Sequence, residues 1–198
     1  MENQEQYFDR LLKIRTCGRD DTNADQYNYP YEPTPYCVLE RLANSGLIRK
    51  NNMVIDYGCG KGRVDFFLSS QCRCKSTGVE YDQRIYQGAM ENLEKTRTGR
   101  VQFILGKAED YELPPESDRF YFFNPFSVEI LFTVLNRIET SYYENPREML
   151  LFFYYPSDEY IAHLMTHDLL SFYDEIDCED LFPGSNQRER IIIFSIAA

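Results

Sequence analysis

Apolar positions recur along this chain with two different periods. Between residues 5 and 15, Tyr7, Phe8, Leu11, Leu12 and Ile14 fall at helical spacing and predict a short amphipathic helix. From residue 53 onward, short apolar runs alternate with stretches of helical period. The runs predict strands near 53–57, 75–80, 101–105, 119–124 and 148–155. Between them, Ile85, Ala89 and Leu93 mark one helix face, and Val128, Leu131, Leu135 and Ile138 mark another. Such alternation is the signature of a parallel sheet covered by helices on both faces.

Capping and turn chemistry place the remaining elements. Thr34 and Pro35 read as an N-cap followed by proline at the first helical position, opening a helix over 36–44 that stops at Ser45 and Gly46. Ser157, ahead of Asp158 and Glu159, predicts a further helix to about His167. Two last strand runs, 170–177 and 189–196, flank LFPGSNQ, whose proline-glycine chemistry predicts an antiparallel hairpin. The polar segment TCGRDDTNADQYNYPYEPTPY, with tyrosines at 27, 29, 31 and 36, reads as a loop covering the domain. The expected organisation is an N-terminal part, 1–46, of helices and aromatic loop packed on a core, 47–198.

Within that core, VIDYGCGKGR over 54–63 reads as a buried strand running into a glycine turn that opens a helix. Gly58, Gly60 and Gly62 allow a sharp turn and the close approach of a ligand. Asp56 ends the strand, where open α/β sheets hold their ligands. Glu80 ends the next strand, 20 residues after Gly60, a spacing suited to a carboxylate that accepts from both ribose hydroxyls. Together these elements predict a site for an adenosine-type cofactor. A nicotinamide dinucleotide fingerprint needs G-x-G-x-x-G, whereas the third glycine here comes one residue early.

Charge narrows the partners. With 21 basic and 32 acidic residues among 198, the net charge of −11 opposes a phosphate backbone, so nucleic acid is disfavoured; Arg97, Arg100 and Lys107 read as solvated surface charge rather than a binding patch. No apolar run approaches bilayer length, and the opening MENQEQYFDRLLKIR has no signal-peptide core, so a cytoplasmic location without membrane association is expected. The six cysteines, at 17, 37, 59, 72, 74 and 178, lack a second pair to complete a zinc site with Cys72 and Cys74. His163 and His167 have i, i+4 spacing without a third ligand, so no metal is expected.

The loop DYGCGKG, the strand-end acid in GVEYD, the segment GKAEDYELP and the segment FFNPF occur in the order seen in class I S-adenosylmethionine-dependent methyltransferases, which roughly residues 30–198 resemble. The resemblance implies a doubly wound α/β fold, with a mostly parallel seven-stranded sheet ending in an antiparallel hairpin. It implies S-adenosylmethionine as cofactor, its methionine portion held by Asp56 and the loop amides from Gly58 through Cys59 and Gly60 to Gly62, and its ribose by Glu80. Tyr81 is implied beside the adenine, with Ala108, Glu109 and Asp110 near its edge.

The same resemblance assigns Asn124, Pro125 and Phe126 to the acceptor. Amino-methylating members often carry Asn/Asp-Pro-Pro-aromatic there, the amide oxygen and a backbone carbonyl accepting from the target nitrogen; this chain has a single proline. The segment YEPTPY resembles the tyrosine-acid-threonine stretch ahead of the cofactor loop in non-SET histone-lysine methyltransferases, which implies that Glu32, Thr34 and Tyr36 approach the cofactor. The expected function is methyl transfer to an acceptor on a small molecule or a protein, with nitrogen leading. A non-catalytic binding module on the same fold, and a dinucleotide-dependent oxidoreductase, remain as alternatives.

Overall fold

Five parallel strands and an antiparallel pair form one sheet in the computed structural model, which describes residues 3–22 and 27–196. In chain order the strands are β1 (Met53–Tyr57), β2 (Lys75–Glu80), β3 (Val101–Leu105), β4 (Arg119–Phe122), β5 (Leu150–Tyr154), β6 (Leu170–Asp177) and β7 (Arg190–Ile196). Their spatial order is β3-β2-β1-β4-β5-β7-β6, with β7 inserted antiparallel between β5 and β6. Chain order reverses beside β1, which pairs with β2 on one side and β4 on the other. Open α/β sheets bind ligands in the crevice at such a reversal.

Six helices accompany the sheet: α1 (Gln4–Leu12), α2 (Tyr36–Asn44), α3 (Arg63–Cys72), α4 (Gln83–Thr96), α5 (Val128–Glu144) and α6 (Asp158–Met165). Strand side chains alternate between faces. Ile55, Tyr57, Phe120, Phe122, Leu151 and Phe153 therefore join the core beneath α5 and α6, while Val54, Tyr121, Leu150, Phe152 and Tyr154 join the core beneath α2 and α3. Aromatic stacking continues across the first of these, with Phe122 4.6 Å from Phe153 and 5.2 Å from Tyr57 between ring centroids.

Several boundaries depart from the pattern reading, each for a local reason. β4 stops at Phe122 because Asn124 takes a left-handed φ of 40° and turns the chain out of the sheet. Tyr155, with φ 50°, ends β5 in the same way. The cap predicted from Thr34 is not formed. Pro35 is the N-cap, the Thr34 hydroxyl lies 3.0 Å from Tyr121 Oη, and the first amide of α2, Tyr36 N–H, donates instead to Glu5 of α1 at 3.1 Å. Ser157 caps α6 as expected, accepting from Tyr160 N–H, but the helix ends at Met165.

The N-terminal segment is tied to the core through Arg63, the first residue of α3. A cation at a helix N-terminus opposes the helix dipole. Here Arg63, only 3% exposed, ion-pairs with Glu5 and lies 3.8 Å from Asp9, donates to Thr16 Oγ1 at 2.7 Å and to the Thr34 carbonyl at 3.1 Å, and stacks on the Tyr36 ring. Two acids and a ring from residues 5–36 thus compensate one buried guanidinium. No helix among the described residues is long and apolar enough to cross a membrane.

Candidate active site

At the carboxyl ends of β1, β2 and β4 the fold leaves a cavity of about 610 Å³. Its floor is Asp56, Gly58, Cys59, Val79 and Glu80; one wall is Tyr81, Asp82, Ile85 and the stretch 106–109; the opposite wall is Tyr121, Phe123, Pro125, Phe126 and Glu129. Residues 27–34 close it from above.

Backbone pairing holds this covering segment down. Asp20 and Tyr31 exchange N–H···O bonds of 3.0 Å, and Arg84 of α4 pairs with Asp20. Tyr29 N–H donates to the Pro125 carbonyl at 3.2 Å, and Ser127 N–H to the Tyr27 carbonyl at 2.8 Å. The Tyr31 ring lies directly on Gly60, its hydroxyl donating to the Thr16 carbonyl at 2.5 Å, with the Lys61 ammonium 5.0 Å from the ring centroid. Gly60 has a φ of 59°, and a side chain there would fall inside that ring. Gly58 meets Pro125 equally closely.

The loop amides are satisfied within the protein. Gly58 and Cys59 N–H donate to the Val79 carbonyl, Gly62 N–H to the Cys59 carbonyl, and Gly60 N–H to Glu80 Oε2 at 3.0 Å. The amides expected to hold a ligand at 58, 59, 60 and 62 are thus each engaged within the protein in this structure. The glycines supply clearance, and the floor supplies the polar groups. Glu80, 7% exposed, also accepts from Asp82 N–H at 2.9 Å. These bonds favour its carboxylate, but burial outweighs them and its pKa is raised. Asp56, 3% exposed, is raised well above the carboxylate range by burial and then by Asp65 and Glu80. Burial and the same acids push up the Cys59 thiol. Asp56 Oδ2 is buried without a hydrogen-bond partner.

The structure brings together Thr34, Asp56, Gly58, Cys59, Glu80, Tyr81, Ala108, Glu109, Pro125 and Phe126 around this cavity, with Glu32 at its cover. It leaves out five expected residues. Gly60 and Gly62 lie behind the lining, and Asp110 lies beyond Glu109. Tyr36 is fully buried on the far side of Arg63, its hydroxyl donating to Asp9 at 2.7 Å, so it does not approach the cavity. Asn124 is turned into the structure: its amide nitrogen donates to the Tyr155 carbonyl at 2.5 Å and its oxygen accepts from Ser157 N–H at 3.2 Å. With the Pro125 carbonyl engaged by Tyr29, both acceptors that an amine-binding turn would use are occupied.

Other sequence expectations resolve similarly. Arg97 and Arg100 stand at the start of β3 and Lys107 after its end, so they do not share a patch. His167 pairs with Glu139 at 3.1 Å, and no group of three or more metal-ligating side chains occurs among the described residues. All six cysteines are free thiols. Arg63, Asp65 and Asp82 were missed by sequence reasoning, and Tyr29 and Tyr31 were read only as part of a covering loop. Asp65 had a signal, an acid within the apolar helix RVDFFL, and so had Asp82, which caps α4 by accepting from Arg84 and Ile85 N–H; Arg63, Tyr29 and Tyr31 acquire their places through the N-terminal and covering segments.

Residues 54–137 match the family described as "Methyltransferase domain". The chain is 33% identical over 79 residues, 39% of its length, to a protein-lysine N-methyltransferase of Saccharolobus islandicus, and spans about half the length of that curated relative, 49%. In fold it is similar to a putative methyltransferase, yhhF, of Escherichia coli (TM-score 0.64, 17% identity, 91% of this chain and 99% of that one). It is also similar to an RNA methyltransferase of Salinibacter ruber solved with S-adenosyl-L-homocysteine (TM-score 0.55, 15% identity, 83% and 94%). Sheet order and fold are thus similar to those of S-adenosylmethionine-dependent methyltransferases of class I, and residues 54–137 carry the methyltransferase-domain match.

The cavity fits that cofactor on its own chemistry. Its floor carries two buried acids, Asp56 and Glu80, whose ionised forms a group bearing an ammonium and a sulfonium would favour, and Glu80 retains lone pairs for hydroxyls. Asp56 and Glu80 are thus the residues that would hold it, over a glycine turn that leaves room for it.

Proposed function

We propose that this chain methylates an amine nitrogen, on a small molecule or on a lysine side chain of a protein. The bound cofactor supplies a methyl group already activated on sulfur; the protein binds, aligns and excludes water. The observation that carries the proposal is the character of the cavity wall. Tyr27, Tyr29, Tyr121, Phe123 and Phe126 are interleaved with Glu32, Glu109 and Glu129, and among the described residues the only basic side chains lining it are Lys107 and the buried, ion-paired Arg63. Aromatic faces and carboxylates receive an alkylammonium and repel phosphate. The lysine-methylating relative supports the same class of acceptor. The Asn124–Pro125 turn acts here as a structural clamp, so the acceptor is oriented by the aromatic and acidic walls.

Two measurements test this. S-adenosylmethionine should raise the melting temperature while nicotinamide dinucleotides leave it unchanged; the reverse pattern would overturn the cofactor site. Labelled cofactor should then transfer methyl to lysine-rich peptides or small primary amines and not to RNA oligonucleotides. Labelling of RNA alone would overturn the amine reading.

A further inference from the structure

Asp65 is fully buried on α3, one turn behind the glycine loop, and the cofactor site as described does not use it. The sheet register explains why it meets Asp56. Val54 pairs with Ser76 and Asp56 with Gly78, so Asp56, Ser76 and Glu80 all project to the face that α3 covers. Gly78 carries no side chain opposite Asp56; a Cβ there would meet Cys59. On the same face lies Asp65 of α3, whose Oδ1 accepts from Ser76 Oγ at 2.6 Å and whose carboxyl is in hydrogen-bonding contact with that of Asp56. Asp56 Oδ2 and Asp65 Oδ2 are both fully buried and have no donor among the described residues.

Two carboxyls in contact and out of water cannot both be ionised. The titratable groups facing them are Glu80 on β2, Cys59 in the loop and Tyr121 on β4, and among the described residues no Arg or Lys stabilises either anion. We infer that Asp65 is a positioning residue that takes up the pair's proton when a cationic group reaches the cavity floor, so that Asp56 meets that group as a carboxylate. The proton passes from Asp56 to Asp65 within the pair, and no charge leaves the protein. A second proton, taken up from solvent, neutralises both carboxyls and removes the anion. Burial pushes Asp65 up to about 7, which sets where this occurs. The identity of the cation, the ammonium of the cofactor's amino-acid portion, rests on the proposed cofactor site; the shared proton does not.

Calorimetry across pH tests the inference with two probes, S-adenosylhomocysteine, which carries that ammonium, and methylthioadenosine, which lacks the amino-acid portion and so reports Glu80 alone. Affinity for S-adenosylhomocysteine should fall about tenfold from pH 8 to pH 6 as the pair takes its second proton. Methylthioadenosine should show no such slope, and Asp65→Asn, which can still accept from Ser76 but holds no titrating proton, should flatten the first profile. Equal slopes for both probes, or a slope unchanged in Asp65→Asn, would overturn it.

Absence of binding by either probe would refute the cofactor site instead, and the pair is then judged in the free protein. A carboxyl raised by folding binds more protons folded than unfolded. Its contribution to stability is complete below the ordinary carboxylate range and is lost as pH rises through about 7. Denaturant unfolding of the wild type should show that decline and Asp65→Asn should lack it. A flat wild-type profile, or one that the substitution leaves unchanged, counts against the shared proton.

Discussion

Replacing Gly60 by alanine probes the covering segment and the cofactor loop together. The backbone there has φ 59°, a conformation that costs an L-residue roughly 1 to 2 kcal/mol. The new Cβ would also fall inside the Tyr31 ring. That ring is pinned at both ends, by its hydroxyl on the Thr16 carbonyl at 2.5 Å and by backbone pairing with Asp20 at 3.0 Å, so it cannot swing aside without opening the cover. Overpacking of this kind costs about 1 to 3 kcal/mol, and the lost flexibility of the unfolded chain returns about 0.4 to 1. The expected destabilisation is about 2 to 4 kcal/mol, read as a lower urea midpoint at unchanged m-value. Gly99→Ala, where nothing lies within 4 Å and φ is ordinary, should stay within about 0.5 kcal/mol of wild type. A double-mutant cycle isolates the clash. In a Tyr31→Ala background Gly60→Ala should cost only the backbone strain, about 1 kcal/mol. Equal costs in the two backgrounds would refute the contact.

Glu80→Ala should weaken S-adenosylmethionine binding by one to two decades, since charge-assisted hydrogen bonds are worth roughly 1.5 to 3 kcal/mol each, and calorimetry measures it directly; unchanged affinity would remove Glu80 from the cofactor site. Arg63→Met leaves Asp9 buried opposite an apolar side chain and should destabilise by about 3 to 5 kcal/mol. A stability within 1 kcal/mol of wild type, about the scatter of single substitutions, would show that the N-terminal segment is held by other contacts. Asn124→Ala should lower thermal stability through the lost bonds to Tyr155 and Ser157 while leaving the acceptor KM unchanged. A KM effect without a stability effect would return Asn124 to the acceptor.

Strand and helix order were legible because each segment's period is set by its own residues: the four apolar positions in Met53–Tyr57 are buried wherever the strand lies within a covered sheet. Asp56 and Glu80 were legible for a related reason. Strand ends in a parallel sheet all open on one edge, so their position in the chain already determines which edge they occupy. The glycines at 58, 60 and 62 belong to the same reading; a side chain at any of them would collide with a neighbour, and their amides donate within the protein.

What required the tertiary structure were the contacts between segments remote in sequence. Tyr36 and Thr34 sit two residues apart in YEPTPY, yet one is buried behind Arg63 and the other lines the cavity, because α2 begins between them and takes its cap from Glu5. Asn124 resembles an acceptor group until the Tyr155 carbonyl and Ser157 amide claim it. Asp65 meets Asp56 across nine residues only because sheet register and helix placement set both side chains on one face. Local periodicity encodes which face a residue occupies; which partner it finds there depends on how separate elements dock, and that information is distributed over the whole chain.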